Sequence, residues 1–88
     1  MIESKFKIGY PLGLHARPAT MLVSKANSFQ AEMTIEFNEK RVNLKSIMGV
    51  LSLSVPQNKT FIITFNGRDE EEASQAINRI INEINLMK

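Results

Sequence analysis

Ile2, Phe6, Ile8 and Tyr10 alternate with Glu3, Lys5 and Lys7, the period-two pattern of a half-buried strand. Met33, Ile35 and Phe37 alternate with Glu32, Thr34 and Glu36 in the same way. Asn38-Glu39 then separates this second strand from Arg41-Val42-Asn43-Leu44. That spacing predicts a hairpin whose tight turn asks Glu39 to take a positive φ better suited to Gly. A fourth strand covers Thr60 to Phe65, with Phe61, Ile63 and Phe65 on one face. Three stretches change to the helical period. Ala19, Leu22, Val23 and Ala26 fall at i, i+3, i+4 and i+7 between Ala16 and Asn27, where Asn27 suits a C-terminal cap. Ala73, Ala76, Ile77, Ile80, Ile81 and Ile84 form one stripe from Glu70 to about Leu86, behind an Asp69-x-x-Glu72 capping pattern. A short third helix runs from Ile47 to about Leu53. The order β-α-β-β-α-β-α predicts an α+β, two-layer open-faced sandwich, its helices on one face of a four-stranded antiparallel sheet. With no linker, repeat or low-complexity tract, residues 1–88 read as a single domain.

At 88 residues the chain has room for one modest core and no deep catalytic cleft. There is no Cys and one His, which removes thiol chemistry and argues against a metal site. MIESKFKIGY does not resemble a signal peptide, and no apolar run approaches the ~18 residues of a membrane span, so a soluble cytoplasmic protein is expected. Net charge is only +2, but no acid stands between Glu3 and Glu32 or between Glu39 and Asp69. This segregation predicts one electropositive face, suited to phosphate or to an acidic protein surface.

Candidate chemistry concentrates in Gly13-Leu14-His15-Ala16-Arg17-Pro18. Pro18 fits only the first turn of a helix, so the helix begins near Ala16 and His15 is its N-cap. Gly13 lets the chain bend sharply into it. Unpaired backbone N–H groups and the positive end of the helix dipole stand beside the ring, and an imidazole nitrogen with a free lone pair is a nucleophile. The same groups attract an anion, and the Arg17 guanidinium can reach phosphoryl oxygens as they gain charge. A nucleophilic nitrogen, an anion hole and a cation within three residues suit a phosphoryl-accepting histidine, although so short a pattern equally describes an ordinary surface cap beside a solvated arginine.

The stretch G-L-H-A-R-P-A-T from Gly13 to Thr20 resembles the active-site signature of the HPr family, the histidine phosphocarriers of the bacterial phosphoenolpyruvate:sugar phosphotransferase system. N-L-K-S-I-M-G-V-L-S-L, from Asn43 to Leu53, resembles the regulatory segment of the HPr proteins of low-GC Gram-positive bacteria. The resemblance implies a sheet order of 1-4-2-3. It also implies that His15 is phosphorylated on a ring nitrogen, Nδ1 in the family, by phosphorylated enzyme I and passes the group to sugar-specific enzyme IIA domains. Arg17 steadies the phosphoryl group. Such a carrier holds a phosphohistidine intermediate without turning over alone, uses no metal or organic cofactor, and is expected to be monomeric.

Ile47, Met48, Val50, Leu51 and Leu53 surround nearly the whole short helix, so part of it must stay in water. Met48 and Leu51, with Ile47 and Thr20, are the expected docking residues around His15. Ser46 caps that helix. The resemblance implies that an HPr kinase/phosphorylase phosphorylates it, slowing enzyme I and creating a corepressor for the catabolite control transcription factor. A phosphate there would gain from the helix dipole and from Lys45.

Two other readings exist. An HPr-like regulatory paralogue acts mainly as a corepressor, but such proteins replace the histidine that this chain keeps. A small RNA-binding domain would need stacking aromatics on the outer sheet face, and none is predicted there. The Gly-free loop S-V-P-Q-N-K-T from Ser54 to Thr60 departs from the family and is expected to lie away from His15.

Overall fold

The computed structural model describes residues 1–87. Its elements are β1 (Ile2–Lys7), α1 (Ala16–Ala26), β2 (Glu32–Phe37), β3 (Lys40–Asn43), α2 (Ile47–Ser52), β4 (Thr60–Asn66) and α3 (Glu70–Asn85). The sheet is antiparallel in the order β1-β4-β2-β3. Each boundary falls within a few residues of the hydrophobic pattern. The largest difference is at β1, which ends at Lys7. Ile8 continues the apolar alternation as a buried residue but leaves the ladder, donating to the Lys59 carbonyl at 3.2 Å instead.

Register explains the two layers. Opposed pairs such as Phe6↔Phe61, Ile2↔Phe65 and Ile35↔Ile63 put one set of side chains beneath the helices. The alternate set, including Lys5↔Ile62 and Glu36↔Arg41, faces outward and carries no aromatic ring. Phe61, Ile63, Phe65, Met33 and Ile35 form the sheet's half of the core. Pro18, Ala19, Leu22 and Ala26 from α1, and Ala73, Ile77, Ile81 and Ile84 from α3, form the other half. The β2–β3 hairpin turns through Asn38 (φ 53°) and Glu39 (φ 68°), so Glu39 occupies the left-handed region, as its position predicts.

Two expectations require correction. Asp69 does not cap α3 with its side chain. Its carboxylate accepts from the Gln30 and Ala31 N–H groups at 2.9 and 2.8 Å, pinning the α1–β2 turn to the start of α3. Glu72 is exposed, and the acid that serves this turn is Glu70, which accepts from the Gly67 N–H at 3.1 Å and pairs with the N-terminal ammonium at 2.9 Å. Nor do the cations gather on one face. Lys5 and Lys7 share the open sheet face with Glu3 and Glu36, where Glu36 pairs with Arg41 at 3.6 Å, whereas Arg17 lies on α1. Segregation along the chain is undone because adjacent strands of the sheet come from distant segments.

Candidate functional site

The approach to α1 is built from backbone. Gly13 takes φ 69°, and a Cβ placed on it would stand 2.1 Å from the Val55 carbonyl oxygen. Only glycine lets the chain come so close. The Gly13 N–H donates to the Tyr10 carbonyl and the Leu14 N–H to the Val55 carbonyl, both at 2.8 Å. Leu14 is buried, and the next residue, His15, emerges into solvent. The 54–58 loop therefore lies directly beneath the histidine's approach and not away from it. It manages without glycine by placing Ser54 (φ 50°) and Asn58 (φ 70°) in the left-handed region, which Asn tolerates well.

His15 is the N-cap of α1, with extended backbone (φ −80°, ψ −174°), and its side chain makes no capping hydrogen bond. Pro18 has no N–H, and the Ala19 N–H makes the first helical bond to the His15 carbonyl at 2.9 Å. The N–H groups of Ala16 and Arg17 remain at the open helix end. The first turn carries no acid. Arg17 is exposed and, among the described residues, pairs with no carboxylate. An exposed imidazole, free backbone donors and an unpaired guanidinium thus share one helix start, an arrangement that can accept and hold a tetrahedral anion. It is a projection, not a cavity. A surface concavity of about 420 Å³ lies elsewhere, between β2, β3 and Lys45.

Thr20 is exposed one turn further on, its hydroxyl donating to the Ala16 carbonyl at 2.7 Å. Met48 is 75% exposed, while Ile47 and Leu51 are half-buried against the core. Val50 alone of α2 is fully buried, so this short helix keeps an apolar outer side, as its composition requires. Leu12, three residues before His15, is a second exposed large apolar side chain, at 64%. Its only sequence signal is that it belongs to no periodic element.

Ser46 caps α2 by accepting from the Gly49 N–H at 3.1 Å. The Lys45 ammonium spends one of its three donors on the Phe29 carbonyl, at 2.6 Å. The Asn27 carboxamide at the C-terminus of α1 donates to the Lys45 carbonyl at 3.2 Å, whereas Val55, just beyond α2, bonds to Leu14 before α1. The two helices are therefore antiparallel neighbours. Ser46 and His15 stand at opposite ends of α1, roughly 16 Å apart by helical rise.

A model of the family described as "PTS HPr component phosphorylation site" matches residues 2–83. The chain belongs to the HPr family. HPr-C-His from Thermoanaerobacter tengcongensis is 39% identical, with a TM-score of 0.94, over 100% of this chain and 99% of that one. The histidine-containing phosphocarrier protein of Mycoplasma is 36% identical, with a TM-score of 0.92, over 99% of both chains. Crh, the catabolite repression protein of Bacillus subtilis, is 36% identical over 99% of this chain and 100% of that one, with a TM-score of 0.75, and was crystallised as a swapped, intertwined dimer. Membership in the HPr family places the chain among the phosphocarriers of the phosphotransferase system. The open sheet and the β1-β4-β2-β3 order are those expected of HPr.

Proposed function

We propose that His15 carries a phosphoryl group from phosphorylated enzyme I to sugar-specific enzyme IIA domains. The observation that carries this reading is the uncapped, acid-free start of α1, where His15 projects beside an unpaired Arg17. In the transfer, the lone pair of a neutral ring nitrogen, Nδ1 by resemblance, attacks phosphorus in line. The N–P bond to the donor imidazole breaks as the new N–P bond forms, and the donor nitrogen keeps the bonding pair. The Ala16 and Arg17 N–H groups and the Arg17 guanidinium face the equatorial oxygens as their charge grows. Onward transfer reverses the sequence with an acceptor imidazole.

Thr20, Ile47, Met48 and Leu51, together with Leu12, form the docking surface in this reading. Ser46 is the regulatory site of an HPr kinase/phosphorylase. Its distance from His15 means that a phosphate there acts on docking along α1 and α2 and not on the imidazole directly, since exposed charges farther apart than about 10 Å are largely screened. The carrier works as a cytoplasmic monomer, and its serine-phosphorylated form serves the catabolite control transcription factor.

Incubation with enzyme I and labelled phosphoenolpyruvate tests the central claim. The expected product is an acid-labile, base-stable phosphate that His15→Ala abolishes, and labelling of that variant would refute the assignment. A chain that takes phosphate only on Ser46, and none from enzyme I, would instead be a corepressor.

A further inference from the structure

The loop that delivers His15 is tied at both ends by groups outside α1. At its end, Leu14 is held by the Val55 carbonyl. At its start, Ile8 exchanges bonds with the 58–59 segment: its N–H donates to the Lys59 carbonyl at 3.2 Å, and its carbonyl accepts from the Asn58 N–H at 2.7 Å. The next residue, Gly9, is held on both peptide groups by side chains. The Asn85 Oδ1 accepts from the Gly9 N–H at 2.7 Å, and the Gln57 Nε2 donates to the Gly9 carbonyl at 3.1 Å. Asn85 also donates, from Nδ2 to the Lys7 carbonyl at 3.0 Å.

We propose that Asn85 is a positioning residue for His15, its carboxamide standing in for the strand that β1 lacks on its outer edge and fixing where the active-site loop departs from the sheet. β1 is an edge strand paired only with β4, so the Lys7 carbonyl and the Gly9 N–H have no ladder partner on that side. One carboxamide at the last residue of α3 supplies the acceptor and the donor together, as a peptide group would. The chemistry is selective. A carboxylate can accept from Gly9 but repels the Lys7 carbonyl, an aliphatic side chain does neither, and Gln places the amide one methylene further out. Gly9 passes the constraint on. Tyr10 follows it, the Tyr10 carbonyl holds the Gly13 N–H, and Gly13 and Leu14 lie against Val55 immediately before His15. Of the side chains bound to this loop among the described residues, only Asn85 ties it to a helix; Gln57 belongs to the neighbouring loop.

The inference rests on the phosphocarrier reading for its kinetic consequence, but not for its geometry. Asn85→Ala and Asn85→Asp in the full chain are compared with the parent by amide exchange, by His15 ring resonances and by enzyme I kinetics. Asn85→Ala is expected to speed exchange of the Gly9 amide about tenfold relative to the parent, with a smaller gain at Leu14. It shifts the His15 ring resonances and lowers kcat for phosphorylation about threefold to tenfold, with KM unchanged because the docking side chains stay in place. Asn85→Asp is expected to fall between the parent and Ala near neutrality, because its carboxylate keeps the Gly9 bond but repels the Lys7 carbonyl, and to approach the parent's Gly9 protection, compared at the same pH, once acid protonates the new carboxyl and restores a donor. Gly9 deprotection with unchanged His15 resonances would overturn the proposal, as would a change in KM alone. If the parent itself takes no phosphate from enzyme I, the carrier reading fails, and the Leu14 and His15 signals still decide whether Asn85 positions the ring.

Discussion

Both α1 and α3 begin at a residue whose side chain makes no capping bond, His15 in one and Asp69 in the other, yet the two starts are charged in opposite ways. The first turn of α3 carries Glu70, Glu71 and Glu72, so its dipole is answered from within the chain. The first turn of α1 carries no acid and has Arg17 at its second position. A helix start left electropositive loses a few tenths to ~1 kcal/mol of stabilisation that acids would supply. The difference shows that an isolated cap says little about function, whereas a helix start left without its complement is open to an anion, as the proposed transfer requires.

Closing the approach to α1 should have the largest effect. Gly13→Ala forces a Cβ against the Val55 carbonyl and a methyl side chain into positive φ. The left-handed conformation alone costs about 1–2 kcal/mol, and the clash must move the 54–58 loop. A loss of about 3 kcal/mol or more is expected by denaturant melting, with slower phosphorylation in whatever remains folded. A variant as stable as the parent would show that the loop is free to withdraw.

Making α1 resemble α3 comes next. Ala16→Glu places an acid in the exposed first turn of α1. Stability should hold or rise by a few tenths of a kcal/mol, while phosphoryl transfer to His15 slows roughly tenfold to a hundredfold through repulsion of the incoming anion. Equal transfer rates in a kinetic assay would mean that the open start does not hold the phosphoryl group.

The third contrast sets His15 against Ser46, two caps of which only one is used as a cap. Ser46→Ala removes the acceptor for the Gly49 N–H and should cost about 1 kcal/mol while leaving phosphorylation by enzyme I near normal. His15→Ala removes no cap bond and should leave the melting temperature within a degree or two of the parent. Ser46→Asp, in contrast, should slow His15 phosphorylation without unfolding the protein. If Ser46→Asp accepted phosphate as fast as the parent, the regulatory assignment would fail and the carrier assignment would stand.

Much of this was legible in the sequence because its signals are local. Alternation of Met33, Ile35 and Phe37 sets a strand, Pro18 sets the start of α1, and the apolar circumference of α2 requires Met48 to be exposed. The HPr resemblance added the strand order, which periodicity does not encode. What local pattern missed was each contact between distant segments. Val55 lies under Gly13, Asn85 reaches β1, and Lys45 donates to Phe29. Asp69 misled for the same reason: the D-x-x-E spacing satisfies a capping rule, but two unpaired N–H groups at Gln30 and Ala31 compete for the carboxylate and win.

That competition gives the smallest effect, one present at neutral pH and removed by acid. The Asp69 carboxyl is held below its ordinary value chiefly by the Gln30 N–H, aided by Ala31, its own backbone N–H and the nearby Lys45 charge, against partial desolvation. Glu70 is lowered as well, by its hydrogen bond to the N-terminal ammonium and then by the Gly67 N–H. A carboxyl depressed in the folded state binds its proton more readily in the unfolded chain. Its stabilisation is therefore complete above the ordinary carboxylate range, near about pH 4, and is lost as pH falls through the depressed folded value. Asp69→Asn keeps one acceptor for the two N–H groups and abolishes titration at this position. Its melting temperature should lie a few degrees below the parent at neutral pH, and the two curves should converge as pH falls below about 4, with the remaining acid limb belonging to Glu70. Curves that stay parallel from pH 7 to pH 2 would show that the Asp69 charge adds nothing to the α1–β2 turn. The start of α3 would then be stabilised by geometry alone, as the approach to α1 is.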